Sequence, residues 1–144
     1  MRTTKCVVLI YNNESRRNKM AKNLKVTIKS ISVNNNGEST GKGELYWKFS
    51  IDGVKFVDVP INNARKTQDG DLIVLNESRL VSKKGNDSLD VYGMISEKDW
   101  PSKDENITFS QEFTEVDGWG VGTHDVNRKD GRLDVTVHYE IANA

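Results

Sequence analysis

The residues with the plainest capacity for chemistry are the acids of Glu97-Lys98-Asp99-Trp100-Pro101-Ser102-Lys103-Asp104-Glu105. Loop carboxylates are the usual ligands of calcium, a hard cation that takes roughly six to eight oxygens, most often from several acids on flexible connections. Glu97 and Asp99 are separated by a single residue. In a loop that spacing lets both carboxylates turn toward one ion, whereas a regular strand sends neighbours two apart to one face at a fixed distance. Trp100 stands beside the acids, and Trp119 lies within Gly118-Trp119-Gly120-Val121-Gly122. An indole is amphipathic and suits ligand or membrane contact. The competing reading is that each caps the edge of the core, since Trp is largely buried on average.

Other candidate motifs fall short. Asp125-Val126-Asn127-Arg128-Lys129-Asp130-Gly131-Arg132-Leu133-Asp134 brushes against a calcium-loop pattern, but Gly131 is one place late, Lys129 takes a ligand position and no glutamate closes the loop. It reads as a turn into the last strand. Gly118 to Gly122 lacks the Lys-Ser/Thr pair and the following helix of a phosphate loop. His124 adjoins Asp125, and His138 alternates with Val137 and Tyr139, yet neither belongs to a nucleophile motif. Those histidines and Cys6 offer no zinc-ligand spacing. The expectation is a protein that is not an enzyme.

The elements that must position the acids are β-strands. In Gly43 to Val59, Leu45, Trp47, Phe49 and Ile51 alternate, Asp52-Gly53 interrupts, and Val54 and Phe56 resume. Asp-Gly suits a two-residue type I′ turn, because both central residues need positive φ. That turn pairs Ile51 with Val54, Ser50 with Lys55 and Phe49 with Phe56. Upstream, Leu24, Val26 and Ile28 alternate in one phase and Ile31 and Val33 in the other, which predicts a bulge near Lys29-Ser30. Leu72 to Val81 reads as one strand, because Asn76-Glu77-Ser78 lacks the turn chemistry of Asp69-Gly70 and Gly85-Asn86. Leu89 to Ile95, with Gly93 at a bulge or a close backbone approach, Ile107 to Phe113 and Leu133 to Ile141 complete the set. Ser96 to Asn106 reads as a loop and Asp117 to Gly131 as the longest irregular stretch. Seven or eight short strands with turns between them predict an all-β, antiparallel β-sandwich.

A chain of 144 residues is most simply one such domain, occupying 24–144. Residues 1–23 read as a leader or an extra strand from Lys5 to Tyr11. The codons AGA-AGG for Arg16-Arg17 would form a purine-rich ribosome-binding sequence ahead of Met20, so the natural start is expected at Met20. The 21 basic and 21 acidic residues cancel, which removes the global field that nucleic-acid binding needs. One cysteine excludes an internal disulfide and fits a reducing compartment. The apolar run after Lys5 is short and no cleavage site follows, so the chain is expected in the cytoplasm.

The order of strands and loops resembles the C2 domain, a family of calcium- and phospholipid-binding β-sandwiches. The strand Leu89 to Ile95, the pair Glu97 and Asp99, and then Ser102-Lys103-Asp104-Glu105-Asn106-Ile107 follow the pattern of its third loop. Glu44-Leu45-Tyr46 opening the strand into Phe49, preceded by Gly37-Glu38, is similar to the end of its first. Glutamates stand at Glu44 and Glu97 where the family usually carries aspartates, and the acidic pair follows Val91 at a distance. The resemblance implies a binding module in which calcium bridges loop carboxylates to phospholipid or another acidic ligand. A metal-free module that binds a protein partner or serves a structural role is the alternative. Connections in an antiparallel arrangement alternate between the two ends. With Leu72 to Val81 a single strand, Glu38, Glu44, Asp69, Asp71, Glu97, Asp99, Asp104 and Glu105 are therefore expected to meet at one pole as metal ligands.

Overall fold

The computed structural model describes residues 20–38, 43–98 and 104–144. The leader, the extra strand and Cys6 lie outside the described residues, as do Asp99 and Trp100. The described chain forms nine strands: β1 (Lys22–Asn36), β2 (Gly43–Ile51), β3 (Val54–Val59), β4 (Arg65–Thr67), β5 (Leu72–Lys83), β6 (Leu89–Lys98), β7 (Glu105–Phe113), β8 (Gly122–Asp130) and β9 (Leu133–Asn143). They make two antiparallel sheets. One has the order β5-β1-β9-β8; in the other, β2-β6-β7 is flanked on the free side of β2 by β3 and then β4. Of the described residues, 3₁₀ turns occupy Ile61–Asn63 and Glu115–Gly120. No helix among them is long and apolar enough to cross a membrane.

Alternation dictates the core. Leu45, Trp47, Phe49 and Ile51 on β2 face Leu133, Val135, Val137, Tyr139 and Ile141 on β9 and the inward row of β1, all nearly or wholly buried. Burying each such side chain contributes roughly 1.5–3 kcal/mol. The bulge forecast in β1 is present: pairing jumps from Ile28 to Ser30 against both β5 and β9, so Lys29 drops out of the ladder. The extra residue resets the phase, and Ile28 and Ile31 both point inward at 0% exposure.

The Asp52-Gly53 turn has both residues at positive φ, 51° and 77°, as a type I′ turn requires. Ile51 pairs with Val54 and Ser50 with Lys55, as expected. The pairing of Phe49 with Phe56 does not form; a register shift between Phe49 and Ser50 gives Phe49 to Val57 instead. The shift brings Val57 into the core and leaves Phe56 half-buried. Two other expectations need correction. β6 runs on through Ser96 to Lys98, because Tyr46, Leu45 and Glu44 of β2 offer it partners there. Gly122 to Asp130, read as irregular, is an edge strand paired along its length with β9. Only Val126 of that strand is buried, so no apolar alternation betrays it.

Asp52 locks the hairpin to the rest of the sheet. Its Oδ1 accepts the Asp90 N–H at 2.9 Å and its Oδ2 lies 2.6 Å from Nζ of Lys83, whose side chain is 11% exposed. Asp52→Ala removes both bonds, leaves a largely buried ammonium and puts a side chain with no local hydrogen bond at a positive-φ position. It is expected to cost about 1–3 kcal/mol, read as a lower denaturant midpoint at unchanged m-value.

Candidate acidic loop pole

The connections alternate between the two ends as the strand count requires. The ends of β1, β3, β6 and β8 and the starts of β2, β5, β7 and β9 share one pole. Backbone and side-chain bonds tie them together: the Asn36 N–H donates to Asp69 Oδ1 at 2.9 Å, Asn36 Nδ2 to the Thr67 carbonyl at 2.9 Å, and the Gly70 N–H to the Val33 carbonyl at 2.7 Å. The Asn106 N–H donates to Asp130 Oδ2 at 2.8 Å, and the Leu133 N–H to Glu105 Oε2 at 2.8 Å.

At the centre of this pole Glu97 and Glu105 are direct partners across β6 and β7. Both continue the inward rows of their strands, after Ile95 and before Ile107, so their side chains enter the mouth of the sandwich. Glu97 is 0% exposed. Gly37, at φ 88°, closes over the pair: a Cβ there would stand 3.1 Å from Glu105 Oε2 and 3.1 Å from Glu97 Cγ. Glu38 lies against the start of β2, its Cγ 3.1 Å from the place a Cβ on Gly43 would occupy.

The remaining predicted residues are used otherwise. Asp69 caps the Asn36 N–H, and Asp71 accepts the Gln68 N–H at 2.8 Å, shaping the turn before β5. Glu44 lies on the outer face of its sheet, in register with Lys66 on one side and Lys98 on the other. Asp104 also serves the outer face, accepting the Tyr46 hydroxyl at 2.7 Å. Burial and that carboxylate hold the Tyr46 hydroxyl above its ordinary pKa. Glu97 and Glu105 are thus brought together, Glu38, Asp69 and Asp71 belong to the same pole, and Glu44 and Asp104 turn away. Among the described residues no group of three or more His, Cys, Asp or Glu is placed to hold a metal ion. A calcium ion needs several carboxylates. The described acids, two inward carboxylates with one oxygen already bonded to Leu133, do not fit that requirement.

Trp119 is a correction. It lies at the opposite pole, 6% exposed, with Nε1 donating to the Asp87 carbonyl at 3.1 Å. A buried indole with its N–H engaged presents no contact surface to a ligand or a membrane, and it closes the far end of the core instead.

No family model and no curated protein matches the sequence. Among solved structures, the chain is similar to a C2 domain at 13% identity and a TM-score of 0.49, over 84% of this chain and 98% of that one. A C2 domain of plant extended synaptotagmin 1 shares 11% identity at a TM-score of 0.42, over 85% of this chain and 95% of that one. Human GIVD cytosolic phospholipase A2 shares 12% identity at a TM-score of 0.48, and this chain, with 87% of its length covered, spans 18% of that one. At such identities the likeness concerns the arrangement of strands alone.

Proposed function

We propose that the chain is a binding module that takes its ligand at the acidic loop pole, with no catalytic step there. The observation that supports this reading is the opposed pair Glu97 and Glu105, aimed into the mouth of the sandwich beneath Gly37. Asp69, Asp71 and Asp130 are exposed at the same pole, and ionised carboxylates only accept hydrogen bonds, so the complementary partner brings donors or positive charge. Asp69, Asp71 and Glu105 also hold loop backbone in place, and the reading supported best is a metal-free module for a basic protein partner.

A second reading, calcium-dependent attachment to phospholipid or another acidic ligand, requires oxygen ligands beyond Glu97 and Glu105. Thermal-shift titration with calcium chloride, against sodium chloride at matched ionic strength, separates the two. Stabilisation by millimolar calcium that disappears in Glu97→Gln and Glu105→Gln establishes the calcium form, and co-sedimentation with phosphatidylserine vesicles then asks about lipid. With no calcium effect, the metal-free form predicts that a polylysine peptide binds the chain, weakens with salt and weakens again in the two variants. Failure of both arms removes the pole as a binding site.

A further inference from the structure

The outer face of the sheet β5-β1-β9-β8 carries a constellation that the sequence does not announce. Ser32 on β1, His138 on β9 and Asp125 on β8 come from three adjacent strands and all stand on the solvent side. Ser32 Oγ lies 2.7 Å from His138 Nε2, and His138 Nδ1 lies 2.6 Å from Asp125 Oδ1. The order of contacts is hydroxyl to Nε2 and Nδ1 to carboxylate, the order in which an imidazole activates a serine and a carboxylate orients the imidazole.

The proton positions follow from the partners. An ionised carboxylate only accepts, so Nδ1 donates to Asp125, and in the neutral form of the imidazole that tautomer leaves Nε2 as the acceptor for the Ser32 O–H. The strands hold the three groups in place. Asp125 and His138 are directly paired across β8 and β9. The bulge at Lys29 falls where Ser30 pairs with His138, and bulges next to reactive groups re-aim side chains. It also sends Lys29 to the same face, its Nζ 3.4 Å from Glu140 Oε2. His138 is 32% exposed and Asp125 70% exposed, so the site is open to solutes.

We propose that Ser32, His138 and Asp125 form a serine relay that hydrolyses small activated acyl esters on this open face. Ser32 Oγ bonds to the ester carbonyl carbon while its proton passes to His138 Nε2 and the carbonyl π pair moves onto oxygen. Collapse breaks the bond to the leaving group, which departs with the proton from Nε2 and leaves an acyl ester on Ser32. Water attacks that ester with His138 again as base, releasing the carboxylic acid and restoring the hydroxyl. An open sheet face grips only the acyl carbon and its oxygen, so the substrate class is small esters with a good leaving group. This inference is independent of the loop pole and departs from the sequence expectation of no enzyme.

The test uses p-nitrophenyl acetate with the whole chain. The expected result is a burst of p-nitrophenolate near one equivalent, with an acetyl group located on Ser32 by peptide mass spectrometry. Ser32→Ala abolishes the burst, and His138→Gln slows it on the order of hundredfold, the scale of general-base assistance. Asp125→Asn slows it less severely. Independently of any variant, diisopropyl fluorophosphate should form the Ser32 O–P bond with loss of fluoride. Release of nitrophenolate at an unchanged rate in Ser32→Ala, acylation elsewhere, or no reaction of the unaltered protein with either reagent overturns the proposal.

Discussion

Gly93→Ala is expected to lower stability by about 3 kcal/mol, the upper part of the range for overpacking a closed core. A Cβ on Gly93 would sit 2.2 Å from Cε1 and 2.7 Å from Cζ of Phe109, and 2.8 Å from Cε1 of Phe49. Both rings are buried, with centroids 6.3 Å apart, and Phe109 stacks on Tyr139 at 6.2 Å and 13°. Both rings are already packed within the core, so the rings, the strand or the sheet spacing must shift. Chemical denaturation should show the loss, and Phe109→Leu in the Gly93→Ala background should recover part of it by vacating the ring edge. Equal stability of Gly93→Ala and the unaltered chain would mean that the rings do not pack as described.

Trp47→Ala is expected to cost about 3–5 kcal/mol, through lost apolar transfer and an unfilled cavity. Trp47 is 2% exposed and is the largest of the fully enclosed side chains at the middle of β2, the strand that pairs with β3, β4 and β6. No partner for its Nε1 occurs among the described residues. Trp47→Phe should therefore be much milder than Trp47→Ala, since it discards a buried N–H along with some area. Thermal melts of the two variants would show the ordering, and a reversal would contradict the burial of this ring.

Much of this architecture is legible in the sequence because one-sided burial writes itself as period-two alternation. β9 and β2 are readable residue by residue, the β1 bulge is visible as a change of phase at Lys29, and Asp52-Gly53 names its own turn. Legibility ends where burial ends. β8 has one buried residue, and its edge position leaves nothing apolar to alternate with. The β3 register is not legible either, because the shift at Phe49 exchanges Phe56 for Val57, two apolar neighbours that composition cannot rank.

The acidic pole is partly legible for the same reason. Strand parity sends Glu38, Asp69, Glu97 and Glu105 to one end, since β5 is a single strand. Facing is not legible, because it depends on where β6 and β7 stop. Extension of β6 to Lys98 and the start of β7 at Glu105 put Glu97 and Glu105 inside and Glu44 outside. The Ser32, His138 and Asp125 contacts lie beyond reach for a further reason. They join residues 106 apart and 13 apart along the chain, and their meeting follows from β9 lying between β1 and β8. The one available signal is that His138 falls on the polar phase of the last strand.

β5 ends one sheet, and Leu72, Val74 and Leu80 on its solvent side are 59%, 60% and 69% exposed. A long straight border with that composition invites copies to zip together. Asn76, at φ 51°, breaks the border midway, where pairing with β1 skips from Glu77 to Val74. Each half is then too short and too differently aimed to template a neighbour along its whole length. An interrupted edge is one of the ways in which natural sheets discourage pairing between copies, and here the interruption falls on an exposed residue outside the core.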